Sequence, residues 1–97
     1  MAEINNLISI IIPVFNESES IGHLLDEVKS IMQTNELNFE LIVVNDGSQD
    51  NTQRVLEELT QKIKELSVIC LRKNYGQTAA MSAGFDNSKG NIVVTLD

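Results

Sequence analysis

Four short apolar runs, each closed by a polar loop and separated from the next by a segment of helical spacing, set the architecture of this chain. Leu7-Ile-Ser-Ile-Ile-Ile-Pro13 and Phe39-Glu-Leu-Ile-Val-Val-Asn45 are nearly continuous in aliphatic residues. That is the pattern of strands covered on both faces rather than on one. Ser67 to Leu71 and Asn91 to Leu96 repeat it. Between the first two runs, Ile21, Leu24, Leu25, Val28, Ile31 and Met32 form one helical stripe. Asn16 with Glu19, or Ser18 alone, is its candidate cap. A second stripe, Val55, Leu56, Leu59, Ile63 and Leu66, follows Ser48 and Asp50, either of which suits an N-cap. An Ala-rich third helix is expected at about Thr78 to Asp86, with Met81 and Met32 as core filler. The order β-α-β-α-β-α-β predicts an α/β fold, an open and mostly parallel sheet with flanking helices. Ligands of such sheets sit outside the carboxyl ends of the strands.

Length and charge narrow the class. The 97 residues allow a single lobe, because a chain of this size buries only about two-thirds of its unfolded surface. No apolar run is long enough to cross a bilayer and the N-terminus lacks a basic leader, so neither a membrane span nor a signal peptide is expected. The single cysteine, Cys70, is expected at a buried strand position, in a reducing, cytoplasmic setting. The net charge of −7 opposes nucleic acid as a partner. Residues 1–66 hold 12 acids and 4 bases, whereas residues 67–97 hold 2 acids and 3 bases, which directs the search for an anion site to Arg72, Lys73 and Lys89.

The polar residues that follow the strands are the candidates for chemistry. Pro13-Val-Phe-Asn-Glu17 offers an aromatic that can lie on a nucleobase and a carboxylate that can accept from base or ribose. In isolation the same segment reads as a core Phe15, a capping Asn16 and a first-turn Glu17 favoured by the helix dipole. Asn45-Asp-Gly-Ser-Gln-Asp-Asn-Thr52 puts Asp46 at a strand end beside a glycine able to take positive φ, and is equally an ordinary turn. Arg72-Lys-Asn-Tyr-Gly-Gln-Thr78 places two cations and a glycine before a helix N-terminus, the ingredients for a diphosphate, or else solvated charge. Asp97 by itself is a strand-end acid, since Mg²⁺ or Mn²⁺ needs several oxygens. His23 lies off its helix's apolar stripe and reads as solvated. Neither G-x-G-x-x-G nor G-x-x-x-x-G-K-[ST] is present, so a nucleotide site here requires another counter-charge, such as a divalent metal on strand-end carboxylates.

Pro-Val-Phe-Asn-Glu, Val-Asn-Asp-Gly-Ser-x-Asp-Asn-Thr, Arg-Lys-Asn-Tyr-Gly-Gln and Val-Thr-Leu-Asp, in this order, resemble the start of a family 2 inverting glycosyltransferase with the GT-A fold. The third segment and the Thr-Ala-Ala-Met-Ser-Ala-Gly-Phe after it are similar to the polyprenyl-phosphate branch, the dolichyl- and undecaprenyl-phosphate glycosyltransferases. The resemblance implies that residues 1–97 are a single nucleotide-sugar-binding lobe, cut at the start of the D-x-D element and holding no catalytic residue of its own. It implies that Pro13, Phe15 and Glu17 frame the nucleoside, Asp46 binds the base, and Arg72, Asn74 and Gly76 line the donor site. Asp97 would be the metal ligand, with Mg²⁺ or Mn²⁺ as cofactor. A UDP- or GDP-sugar would be the donor and a polyprenyl phosphate or other glycan the acceptor, at the cytoplasmic face of a membrane for the complete protein. The family often has two acids before Gly-Ser, and here the first is Asn45. The fourth strand would be an exposed apolar edge inviting a homodimer. A non-catalytic α/β module binding a nucleotide or a protein is the alternative. A receiver-like domain is disfavoured because Arg72-Lys73 stands where its phospho-accepting Asp belongs.

Overall fold

A computed structural model describes residues 6–96. The elements are β1 (Leu7–Val14), α1 (Ile21–Thr34), β2 (Asn38–Asn45), α2 (Thr52–Thr60), β3 (Leu66–Cys70), α3 (Gln77–Asp86) and β4 (Ile92–Thr95). All four strands are parallel, in the spatial order β3-β2-β1-β4. The chain moves outward from β1 through β2 to β3, then crosses over to the other side of β1. That reversal places a crevice at the carboxyl end of β1, where open α/β sheets bind their ligands.

Alternating side chains of the two central strands feed two cores. Ile10, Ile12 and Val14 of β1 and Leu41 and Val43 of β2 pack with Ile21, Leu25 and Leu56 of α1 and α2. Ile11, Ile42 and Val44 point to the opposite face and meet Ala80 of α3. The third helix lies close against the sheet because its residues there are small: a Cβ on Gly84 would stand 2.4 Å from Ile11 Cγ2. Both faces of β1 and β2 are therefore covered, which accounts for their unbroken apolar runs.

Several expectations are corrected. The N-cap of α1 is Ser20, without a side-chain cap bond. Asn16 and Ser18 precede it and donate their N–H groups to Ser48 and Asp50, while the Glu17 carbonyl accepts the Ser20 and Ile21 N–H groups. The N-cap of α2 is Asn51, although Asp50 does accept the Thr52 N–H at 2.9 Å. That helix ends at Thr60, so Ile63 falls in the following turn and Leu66 begins β3. Ile31 is 60% exposed despite its place in the stripe. Met81 is only half-buried, on a helix whose small residues make its close contacts. Cys70 is exposed, because β3 is an edge strand and Cys70 is its last residue. Lys89 is far from Arg72. It lies in the α3–β4 loop, which the backbone N–H groups of Lys89 and Gly90 tie to Glu40 and Ser9 near the amino ends of β2 and β1. The other edge strand is β4, with Ile92 and Val94 both partly exposed, as expected for the fourth strand.

Candidate functional site

The loops that leave the carboxyl ends of β1, β2 and β3 meet above the sheet. Pro13, Val14, Phe15, Asp46 and Gln77 line an open cleft of about 230 Å³ there. Phe15 is 42% exposed and Asp46 only 5%, so the cleft presents an aromatic ring at its mouth and a carboxylate at its base. An exposed ring can stack on a planar heterocycle and a carboxylate can accept N–H bonds from its edge.

Asp46 is fixed from three sides. Its own N–H donates to Val14 O at 2.9 Å. Its two carboxylate oxygens accept the Tyr75 N–H at 2.8 Å and the Gly76 N–H at 3.0 Å. The Asn74 side-chain amide donates to its carbonyl at 3.2 Å. Each carboxylate oxygen has a second acceptor site, so Asp46 holds the β3–α3 loop and still faces the cleft. Beside it Gly47 takes φ +70°, the conformation anticipated for this glycine, and its backbone lies against that of Lys73 and Asn74. Gly76, at φ +101°, is the N-cap of α3.

The β1–α1 loop is held by side chains of the β2–α2 loop and of Thr52, the first residue of α2. Asn16 N–H donates to Ser48 Oγ at 2.9 Å, Glu17 N–H to Thr52 Oγ1 at 2.9 Å, and Ser18 N–H to an Asp50 oxygen at 3.4 Å. In return the Gln49 N–H donates to Asn16 Oδ1 at 2.8 Å. Below them the buried Asn45 accepts from the Ser48 N–H at 3.1 Å and donates to Gln53 Oε1 at 2.9 Å. An amide can do both where a carboxylate could only accept, and this is what stands in place of the family's first acid.

Asp50 is exposed, and its carboxyl is held below the ordinary 3.8 chiefly by the Thr52 hydroxyl, against a desolvation penalty and with help from the Thr52 and Ser18 N–H groups. A carboxylate depressed in the folded state contributes stability that is complete above the unfolded value near 3.8 and is lost as pH falls through the lower folded value. The urea midpoint of the wild type is expected to fall more steeply than that of D50N below pH 3.8 and to run parallel to it above pH 5. Parallel curves throughout would contradict this assignment.

Of the residues singled out from sequence, Pro13, Phe15 and Asp46 share the cleft, while Asn74 and Gly76 reach it through Asp46. Glu17 lies at a neighbouring depression beyond Pro13 and Val14, where it accepts from Ser20 Oγ at 2.6 Å. Arg72 is exposed at the end of β3, outside the cleft lining, and Lys73 lies 5.2 Å from the Tyr75 ring centroid. His23 is solvated and pairs with Glu27. Asp97, the expected metal ligand, lies outside the described residues. Among the described residues no three His, Cys, Asp or Glu side chains cluster to hold an ion, and both Asp46 oxygens already serve backbone N–H groups. Gln77 was missed, although a polar residue just after Gly76 at a helix start was a signal for it.

A parallel sheet with its cleft at the strand order's reversal, and an aromatic and a buried carboxylate at the strand ends, define an open α/β lobe with one ligand-sized opening. Residues 9–97 match the family described as Glycosyl transferase family 2, and the chain belongs to that family. It is 45% identical over 94 residues to the undecaprenyl-phosphate 4-deoxy-4-formamido-L-arabinose transferase of Proteus mirabilis, covering 95% of this chain and 28% of that protein. The fold is shared with a mannosyltransferase of Pyrobaculum calidifontis in complex with GDP-Man and Mn²⁺, at TM-score 0.78 and 21% identity over 89% of this chain and 25% of that one. It is also shared with S. aureus TarS 1-349 in complex with UDP-GlcNAc, at TM-score 0.75 and 30% identity, covering 93% of this chain and 26% of that one. The shared fold with these two structures, together with the family match, bears out the GT-A expectation. The chain thus spans about 28% of the length of the first curated relative it matches. Family membership favours an enzyme part over a non-catalytic module.

Proposed function

We propose that this chain is the donor-binding part of a glycosyltransferase that moves a sugar from a UDP- or GDP-sugar to a polyprenyl phosphate. The observation that carries the reading is the cleft itself, where Phe15 and the nearly buried Asp46 face one opening at the carboxyl end of β1. The similarity to an undecaprenyl-phosphate transferase supports the acceptor class. In this reading Phe15 stacks on the base, Asp46 accepts its N–H, and Arg72, on the same side of the sheet, meets the diphosphate. An acceptor phosphate oxygen forms a bond to the anomeric carbon as the bond to the donor diphosphate breaks, the electron pair leaving with the diphosphate. A phosphate acceptor is already anionic and needs little base assistance.

Metal dependence belongs to the same proposal. The described residues provide no cage for Mg²⁺ or Mn²⁺, so the assignment rests on Asp97 and on the donor's own phosphate oxygens. Among the described residues no helix is long and apolar enough to cross a membrane. Work at the cytoplasmic face of a membrane is proposed for the complete protein from its acceptor class.

An amide NMR titration of the ¹⁵N-labelled chain with UDP and GDP, each with and without Mg²⁺, tests the reading. Shifts at Phe15, Glu17, Asp46, Arg72 and Gln77, larger for one base than the other, are expected. Unmoved cleft amides at millimolar nucleotide, both in this chain and in the full-length protein, would overturn it.

A further inference from the structure

We infer that Thr52 is a positioning residue whose hydroxyl fixes the Phe15–Ser18 loop in the shape that receives the ligand. The inference rests on the donor-cleft reading for its consequence, but the geometry behind it is independent of any ligand. Thr52 is 0% exposed and is the first residue of α2, so its hydroxyl is mounted on a rigid element. That hydroxyl accepts the Glu17 N–H at 2.9 Å and donates its own proton to Asp50. Asp50 also receives the Ser18 N–H. Donating to the carboxylate leaves the hydroxyl's lone pairs to accept, so Asp50 orients Thr52 and Thr52 orients Glu17.

The loop needs such an external hold. Asn16 sits at φ +53°, a left-handed conformation that costs a non-glycine residue roughly 1 kcal/mol. The N–H groups of Asn16, Glu17 and Ser18 all turn to side chains of the β2–α2 loop and of the first residue of α2, 32 to 35 residues away in sequence. Of those three acceptors Thr52 is the buried one, so its hydroxyl is the least free to exchange its partner for water. The segment it fixes begins at Phe15, the ring at the mouth of the cleft.

The test is T52V, which keeps the branched shape and removes the hydroxyl, alongside T52S, which keeps the hydroxyl. Hydrogen exchange is measured without nucleotide, and UDP and GDP titrations are run separately. In T52V the Glu17 amide is expected to exchange about tenfold faster, and the preferred nucleotide to bind about tenfold more weakly, with T52S close to wild type in both. Unchanged Glu17 exchange in T52V, or equal losses in T52V and T52S, would overturn the inference, the second because it would make the site one of packing alone. Should T52V not fold, T52A decides, since it removes the hydroxyl without placing a methyl beside Asp50, and T52S controls for its packing. Faster Glu17 exchange there supports the inference, and unchanged exchange rejects it. A wild type that ignores both nucleotides would sink the donor reading while the exchange measurement still decides whether Thr52 fixes the loop.

Discussion

Gly47→Ala is expected to be the most destabilising glycine-to-alanine change in this chain, costing roughly 4 kcal/mol or more. Two independent effects add. Gly47 has φ +70°, where alanine pays about 1–2 kcal/mol. Its Cβ would also stand 2.2 Å from Lys73 C and 2.4 Å from Asn74 N, and backbone atoms cannot swing aside as a side-chain tip would. Relief requires the β2–α2 and β3–α3 loops to part, which breaks the bonds from Tyr75 and Gly76 to Asp46. A domain with ~5–15 kcal/mol of total stability loses a large share of it. Urea unfolding followed by circular dichroism measures the effect. A midpoint within error of wild type would show that the two loops are not packed as described. Gly76→Ala is the comparison: it also has positive φ, but nothing lies within 4 Å of the added Cβ, so only the smaller backbone cost is expected.

What the sequence disclosed and what it concealed divide along a physical line. Strand order along the chain, both covered faces of β1 and β2, and the placing of polar loops at strand ends follow from local periodicity, which side chains report directly. The cleft's Pro13, Phe15 and Asp46 were legible for the same reason, as strand-end residues of a parallel sheet. The edge position of β3 was not legible from its own five residues, so Cys70 looked buried and is exposed. Charge counting groups Lys89 with Arg72 but carries no information about the sheet end on which a loop emerges. Asn16 and Ser18 are good capping residues by type, but Asn16 Oδ1 accepts the Gln49 N–H and the Ser18 N–H donates to Asp50, both contacts more than 30 residues distant, and the helix starts after Ser20. Thr52 looked like one more polar residue opening a helix. Its role depends on a partner, Glu17, that only the packing of two loops brings near.

Asp46→Asn separates the two duties that the fold gives this carboxylate. An asparagine keeps one acceptor oxygen and turns an NH₂ group toward one of the two backbone donors that Asp46 now satisfies. Hydrogen bonds to a charged acceptor are worth about 1.5–3 kcal/mol, and a buried N–H left without a partner costs about 1–3 kcal/mol. A loss of roughly 3 kcal/mol in unfolding free energy is expected, with the largest amide shift changes at Tyr75 and Gly76. If Asp46 also accepts from the base, the folded fraction of D46N must lose nucleotide affinity by a further tenfold or more, since one charge-assisted bond is removed and an opposed donor introduced. Inorganic diphosphate, which has no base, is the control: its binding to folded D46N should match that to folded wild type. Equal weakening of nucleotide and diphosphate would assign Asp46 to loop clamping alone, and the base would then have to be read by Phe15, Gln77 and the Pro13–Val14 backbone. Selective loss of the nucleotide would instead place one carboxylate at both tasks, holding the β3–α3 loop with one pair of acceptor sites and reading the base with the other.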